Sequence, residues 1–133
     1  MRAEKVIYTL LSGDAGVATQ VAARIYPSRL PQNTVMPALV YDFISGQEHP
    51  VIDASAGRQV LRSRVQVTAM GKNYADVKTL MEAVRVACLY KRGTIGGVTV
   101  ISITRNGIGP DLRDDQLALY LQSTDYMVTH YES

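Results

Sequence analysis

The fold is decided by residues 58–70, RQVLRSRVQVTAM, and by the run at residues 73–90, NYADVKTLMEAVRVACLY. In the first stretch, apolar or small side chains alternate with polar ones from Leu61 to Ala69, which predicts a strand with one buried and one solvent-facing side. In the second, apolar residues recur every three or four positions, which predicts an amphipathic helix. A half-buried strand followed by such a helix indicates a sheet with a helix on one face.

The other elements follow from shorter patterns. In chain order we expect a helix over 2–12, a helix from 14 to about 24, an extended proline-rich connector over 26–37, a strand over 38–45, a loop over 46–57, a strand over 97–105, a turn over 106–111 and a strand over 116–131. The strands on either side of the 46–57 loop are expected to pair as an antiparallel hairpin. The prediction is one α+β domain over 1–133, with a mainly antiparallel or mixed four-stranded sheet packed by one long helix and short N-terminal helices.

The composition is that of an ordinary folded protein. The 133 residues are 47% hydrophobic and 20% charged, and the net charge of +2 is too weak to argue for nucleic-acid binding by itself. Cys88 is the only cysteine, which excludes an intramolecular disulfide and a cysteine metal cluster. The N-terminus does not read as a secretory signal, and no apolar run approaches the ~20 residues of a membrane span. We therefore expect no membrane partner.

Residue types that usually carry catalysis are few and isolated. His49 and His130 have no sequence neighbour that predicts a catalytic partner, and Cys88 falls on the apolar stripe of the helix, where it reads as a buried small hydrophobe. The glycines over 93–97 follow a helix instead of preceding one, so they do not read as a phosphate-binding loop. We expect no enzymatic activity, no cofactor and no metal site, and a chain that acts through its surfaces.

Three groups of side chains are candidates for those surfaces. They are Arg58, Arg62 and Arg64 along one strand, Asp111, Arg113 and Asp114 in a charged loop, and Tyr120 and Tyr126 on the last strand. The arginines fit a solvated face or salt bridges to a neighbouring subunit, and the charged loop fits hydration or the rim of an interface. The tyrosines fit either plain sheet packing or an interface, since tyrosine combines apolar area with a polar tip.

A set of short motifs in a particular order carries a family resemblance. The motifs are Arg24-Ile25-Tyr26-Pro27, Leu30-Pro31, Tyr41, Ser45-Gly46 and Arg64-Val65-Gln66-Val67, followed by the helix from Tyr74 to Cys88. In this order, over about residues 5–90 and more loosely in the C-terminal strands, the chain resembles the tail-completion or tail-terminator (head–tail joining) proteins of long-tailed bacteriophages and prophages.

The resemblance implies a structural virion protein that assembles in the cytoplasm of a bacterial host and occupies the head-proximal end of the tail. Family members form a hexameric ring that stops polymerisation of the tail tube and joins it to the head, and DNA passes through the lumen. The implied partners are other copies of the chain, the tail tube protein and a head-completion or connector protein. No catalytic residues are implied. Two alternatives stay open: another head–tail connector or minor tail protein on the same fold, and a small-molecule-binding α+β domain with a deep pocket.

For such a ring, the loop over 46–58 is the first candidate for a surface that faces the tube or the lumen, and the loop over 106–115 is the second. An exposed edge of the last strand is a further candidate for contact between subunits, because unpaired edges invite pairing. The predicted contact residues are Gln47, Glu48, His49, Val51, Asp53, Arg58, Arg62, Arg64, Asp111, Arg113, Asp114, Tyr120 and Tyr126.

Overall fold

Three helices and a seven-stranded sheet make up the part of the chain that the structure, a computed structural model, describes: residues 3–49 and 59–132. The helices are α1 (Ala3–Ser12), α2 (Ala15–Val21) and α3 (Tyr74–Cys88). The strands are β1 (Ile25–Pro27), β2 (Ala38–His49), β3 (Gln59–Gly71), β4 (Gly93–Ile95), β5 (Val98–Ile108), β6 (Leu112–Asp114) and β7 (Leu119–Glu132). The predicted α+β class is confirmed, but the sheet is larger than the four strands that the sequence predicted.

Local sequence explains where the helices begin and end. The α2 helix starts after Asp14, whose carboxylate accepts a hydrogen bond from the Val17 N–H at 3.0 Å. It ends earlier than predicted, because Ala22 turns the backbone to a φ of 52°. The α3 helix starts after the extended residue Asn73 and carries Asp76 in its first turn, where a negative charge favours the helix dipole.

The sheet is mixed, with the strand order β1-β2-β3-β7-β5-β4 and with β6 also beside β7. Only the β1–β2 pair is parallel among these pairings. The longest ladder joins β3 to β7, from Gln59 opposite Glu132 to Gly71 opposite Tyr120. Because β5 and β6 occupy the other side of β7, the last strand lies inside the sheet. The prediction that its edge is exposed was wrong.

The predicted turn over 106–111 does not reverse the chain. Strand β5 continues to Ile108, and β6 follows along the same side of β7 after a short break. At the break, the Gly109 N–H donates to the Ser123 carbonyl at 2.7 Å, and a Cβ on Gly109 would lie 2.9 Å from that oxygen. The chain needs a glycine here because the two backbones come so close.

The reversal occurs instead between β6 and β7. The Asp114 carboxylate accepts hydrogen bonds from the backbone N–H groups of Gln116 and Leu117 at 3.0 and 3.1 Å. Ala118 then takes a positive φ of 54°, and β7 starts at Leu119. The last strand therefore begins three residues later than the predicted residue 116, because an aspartate turn replaces the start of the strand.

The predicted loop over 46–57 is shorter at its N-terminal end, because β2 runs on to His49. Gly46 lies opposite Ser63 and His49 lies opposite Val60, so the expected antiparallel hairpin of β2 and β3 is confirmed. A β-bulge between Phe43 and Ser45 rotates the strand on the way. The rest of that loop, residues 50–58, lies outside the described residues.

The core lies between the helices and one face of the sheet. Its fully buried members include Val6, Ile7 and Leu11 of α1, Leu80 and Val84 of α3, Val65 and Val67 of β3, and Tyr126 and Val128 of β7. The α1 helix contacts β1, β2 and β3 and also reaches β4 at the far end of the strand order, so the sheet curls around the helices. The opposite face of β3 and β7 carries mainly polar side chains.

Candidate interaction surfaces

The face of the sheet away from the helices is a network of paired polar groups. Arg64 Nε donates to Asp125 Oδ2 at 2.7 Å, and Gln66 Nε2 donates to Asp125 Oδ1 at 3.2 Å. The hydroxyls of Thr68 and Ser123 are hydrogen-bonded at 2.8 Å. The Arg64 charge is thus matched within the chain, so it does not act as one of three free cations in a basic stripe.

The other two arginines of the predicted stripe differ from Arg64. Arg62 is exposed on β3, opposite Gln47 of β2. Arg58 lies outside the described residues. Of the two positions that the structure describes, one is therefore paired and one remains available to a partner.

The charged loop after β5 is fixed to α3 by a group that we call the α3 latch: Tyr74, Lys78, Asp111 and Gln122. The Tyr74 hydroxyl donates to Asp111 Oδ2 at 2.8 Å, and Lys78 Nζ donates to Asp111 Oδ1 and, at 3.0 Å, to Gln122 Oε1. These bonds, the one from Lys78 first, lower the pKa of the Asp111 carboxyl, and the same Lys78–Asp111 contact raises the pKa of Lys78. Asp111 is exposed, but its carboxylate is already engaged.

Arg113 and Tyr120 form a cation–π contact at the start of β7. The Arg113 guanidinium lies 4.7 Å from the centroid of the Tyr120 ring, and Tyr74 meets that ring edge-on at 5.9 Å. Arg113 also donates to Asp115 at 2.9 Å. Arg113 is exposed and Tyr120 is half-buried, so both predicted contact residues remain accessible to a partner. The third, Asp114, accepts the hydrogen bonds that form the turn before β7.

The predicted contact residues near the tip of the β2–β3 hairpin are described only in part. Gln47 and Glu48 are exposed on β2, and His49 is placed by its backbone pairing with Val60. Val51 and Asp53 lie outside the described residues. Their assignment as contact residues stays a prediction.

The structure corrects the prediction that Tyr126 is a contact residue. Its side chain is fully buried in the core, where burial raises the pKa of the phenol well above its usual range. A residue without accessible surface cannot supply contact area to a partner of the folded chain. The sequence pattern places Tyr126 and Tyr120 on the same face of one strand. They differ in burial, because the helices cover Tyr126 completely and Tyr120 only in part.

Two buried side chains of types that often act in catalysis, His130 and Cys88, have structural surroundings here. His130 is 1% exposed and its Nε2 lies 3.0 Å from the hydroxyl of Ser63, while its Nδ1 lies 3.2 Å from the Tyr131 carbonyl. Cys88 is also buried, which confirms the reading as a small hydrophobe, and burial raises the pKa of its thiol to about 12. Both groups are closed off from solvent. No three His, Cys, Asp or Glu side chains within 3–49 and 59–132 are placed to hold a metal ion.

One surface groove lies between the connector after β1 and the β6–β7 turn. It has a volume of about 650 Å³ and is lined by polar and apolar side chains alike, the apolar ones including Leu30, Met36 and Leu121. A second groove, beside α2 and α3, is more open. Neither Tyr41 nor Cys88 lines either of these grooves. No helix of the described residues is both long and apolar enough to cross a bilayer.

Two exposed patches at the ends of the sheet were missed by the sequence analysis. The β2 patch consists of Tyr8, Asp42, Phe43, Ile44 and Glu48, and the β5 patch consists of Val86, Tyr90, Arg92, Ile101 and Arg105. All ten are exposed except Asp42, which is half-buried. Phe43 and Ile44 belong to a strand with apolar residues on both faces, a pattern that is typical of an interior strand. They are 45% and 47% exposed, because β1 covers β2 only as far as Tyr41.

Together, these features define a small α+β subunit whose buried polar groups are structural and whose distinctive surfaces are strand edges, loops and apolar patches. A family model, that of the tail completion protein gp17, matches residues 5–131, and the chain belongs to this family. It is therefore a structural tail protein of the bacteriophage type and a virion component.

A solved structure has the same fold. One chain of the structure described as "Virion of native gene transfer agent (GTA) particle" superposes with a TM-score of 0.73, covering 95% of this chain and 92% of that chain. The two sequences are 12% identical, so this likeness concerns the fold alone. No curated protein sequence matches the chain.

Proposed function

We propose that the chain is the tail terminator of its particle, a subunit that forms a hexameric ring on the head-proximal end of the tail tube. The ring would stop addition of tube subunits, present a surface to the head-completion or connector protein, and let DNA pass through its lumen. Assembly would take place in the cytoplasm of the bacterial host. The observation that carries this proposal is the family match over residues 5–131, almost the whole chain.

Two structural features support an assembly role. His130 and Cys88 are enclosed, so neither of these two side chains is presented to a substrate. Meanwhile Phe43, Ile44 and Tyr90 expose large apolar surface at the sheet ends, the kind of area that protein–protein contacts bury. We propose that the chain has no enzymatic activity and works by contact with copies of itself, the tail tube protein and the head connector.

The alternative within the same class is a head–tail connector or minor tail protein that does not control tube length. The fold does not separate the two, since one architecture serves several positions in a particle. They differ in what happens to the tube when the chain is missing. A terminator limits polymerisation, whereas a connector only joins a finished tail to a head.

The test is a particle-producing gene cluster from which this chain has been deleted, with tails counted and measured by negative-stain electron microscopy. The terminator proposal predicts tubes of uncontrolled length and heads without tails, with normal tails restored by the chain supplied in trans. Tails of uniform, normal length that stay separate from heads would refute the terminator role and favour the connector alternative. Normal, joined particles would refute both.

The oligomeric state is tested by light scattering coupled to size exclusion, from micromolar to near-millimolar protein. Six copies of the 14.6 kDa chain predict a species of about 88 kDa. A species of another closed symmetry would contradict the hexamer without affecting the role at the tail end.

A further inference from the structure

Two long strands, β2 and β5, each have a stretch of edge that no other described strand covers, and these stretches lie toward opposite edges of the sheet. On one side, β1 pairs with β2 only from Leu39 to Tyr41, so β2 is an edge strand from Asp42 onward. On the other side, β4 pairs with β5 only from Val98 to Val100. The β3 and β7 strands lie between them, so the two edges are separated by three inter-strand spacings, roughly 14 Å.

Each edge carries an apolar cluster. In the β2 patch, Phe43 and Ile44 are about half exposed, and Tyr8 lies beside Tyr41 at 5.8 Å between ring centroids. In the β5 patch, Tyr90 is 76% exposed, and its backbone N–H donates to the Ile103 carbonyl at 2.9 Å, which fixes it against the edge of β5. Val86, near the C-terminal end of α3, is also exposed, and Tyr90 follows two residues after that helix ends. Contact between the two apolar clusters would remove their surface from water, which favours association.

The charges of the two patches are complementary. The β2 patch contains the carboxylates of Asp42 and Glu48. On the neighbouring strand, Arg64 lies opposite Ser45 but is paired with Asp125, which leaves Arg62, opposite Gln47, as the unpaired cation of this stretch of the ladder. The β5 patch contains Arg92 and Arg105. The acidic group close to it, Glu82, is already hydrogen-bonded to Arg85. One patch is therefore net acidic and the other net basic, which favours contact between unlike patches.

We propose that the β2 patch of one copy of this chain binds the β5 patch of the next copy, and that this head-to-tail contact is the repeating interface of the ring. The inference rests on the proposed ring and names the surfaces that build it. Two different patches on one subunit form a heterologous interface, which is what a cyclic assembly requires. Bulges interrupt both edges, between Phe43 and Ser45 and between Arg105 and Ile108, so side chains carry the contact and a long continuous ladder is disfavoured.

The experiment uses one blocking substitution in each patch, Ile44→Asn and Tyr90→Asn, and measures mass by light scattering behind size exclusion up to about 1 mM, where even millimolar affinity is visible. Each variant alone is expected to weaken self-association at least tenfold, because the interface would lose apolar area and bury an amide without a hydrogen-bond partner. Leu117→Asn is the matched control: Leu117 is 66% exposed but lies in the β6–β7 turn, at the other end of the strands. It should assemble like the unmodified chain. Circular dichroism confirms that all three variants are folded.

A mixture of the two blocked variants tests the head-to-tail geometry directly. The Tyr90→Asn chain keeps an intact β2 patch and the Ile44→Asn chain keeps an intact β5 patch, so one productive contact can form between them. The expected product is a 1:1 dimer of about 29 kDa, twice the mass of the chain, that does not grow further. If instead only one of the two variants loses assembly, or the mixture stays monomeric while the unmodified chain assembles, the proposed pairing of patches is wrong.

The result is separable from that of the tail-length experiment. An unmodified chain that stays monomeric up to about 1 mM overturns the inference, since complementary patches of one chain should associate at that concentration. Full assembly by both blocked variants also overturns it. In either case the terminator role still depends only on what deletion of the chain does to the tails.

Discussion

Replacing Ser63 with alanine is expected to destabilise the fold by about 1–3 kcal/mol, because it leaves a buried acceptor, Nε2 of His130, without a hydrogen-bond donor. Ser63 and His130 are 3% and 1% exposed, and Ser63 Oγ lies 3.0 Å from His130 Nε2. The other ring nitrogen lies 3.2 Å from the Tyr131 carbonyl, to which it can donate only as the protonated Nδ1. The neutral tautomer that satisfies both contacts leaves Nε2 as an acceptor for the serine hydroxyl. Without that hydroxyl, water has almost no access to replace it.

The matched control is Thr68→Val, which removes the 2.8 Å hydrogen bond between Thr68 and Ser123 on the half-exposed polar face of the sheet. Water can satisfy Ser123 there, so we expect a change within about 0.5 kcal/mol. Urea denaturation at neutral pH gives both values, and a thermal melt should show a loss of roughly 3–12 °C for Ser63→Ala alone.

Equal effects of the two substitutions would refute the reasoning, because burial would then not decide the cost of a lost hydrogen bond. A second check is the double-mutant cycle with His130→Phe, which removes both polar partners. The double variant should be less destabilised than the sum of the single variants, since no unpaired polar group remains. Strict additivity would show that the two side chains do not interact.

Three further outcomes are expected. Asp111→Asn removes the anion that Lys78 binds, and that contact lowers the pKa of Asp111. The variant should therefore be less stable than the wild type above pH about 4, the ordinary range of an aspartate, and the difference should fade at lower pH as the wild-type carboxyl becomes protonated. Urea midpoints measured across pH follow this difference. Cys88, with a pKa of about 12 in its buried site, should resist a thiol-specific reagent at pH 8 in the native protein and react fully in urea. Leu80→Ala should cost about 2–5 kcal/mol in urea denaturation, whereas Val86→Ala, at an exposed position of the same helix, should cost less than about 0.5 kcal/mol.

The long elements were predictable because each repeats its pattern many times. Strand β3 shows the alternation of buried and open positions over most of its length, and the apolar stripe of α3 is the one that packs on the sheet. The short strands β1, β4 and β6 have three residues each, too few for any periodicity to be read. They form because the long strands beside them offer unpaired backbone groups, which is a property of the tertiary structure.

The candidate site was less predictable than the fold, for a related reason. Sequence gives the side of a strand on which a residue lies, but not which neighbour covers that side. Tyr120 and Tyr126 share a face of β7, yet α3 and its neighbours bury Tyr126 completely while Tyr120 stays half open beside Arg113. The partners of Asp111 and Arg64 are 33 and 61 residues away along the chain, so no local pattern could indicate them.

The interior position of β7 also decides which surfaces are left for assembly. Both sides of that strand are paired, so among the long strands described here the open stretches of edge belong to β2 and β5. Two β2 patches would bring Asp42 and Glu48 against the same carboxylates, and two β5 patches would bring arginine against arginine, so charge opposes both symmetric pairings. In the proposed interface, contact between copies is directed head to tail, and such a contact ends only where the rotation between neighbours closes a ring. Closure is what a terminator needs, because an open helical array of subunits would itself keep growing at the end that it is meant to seal.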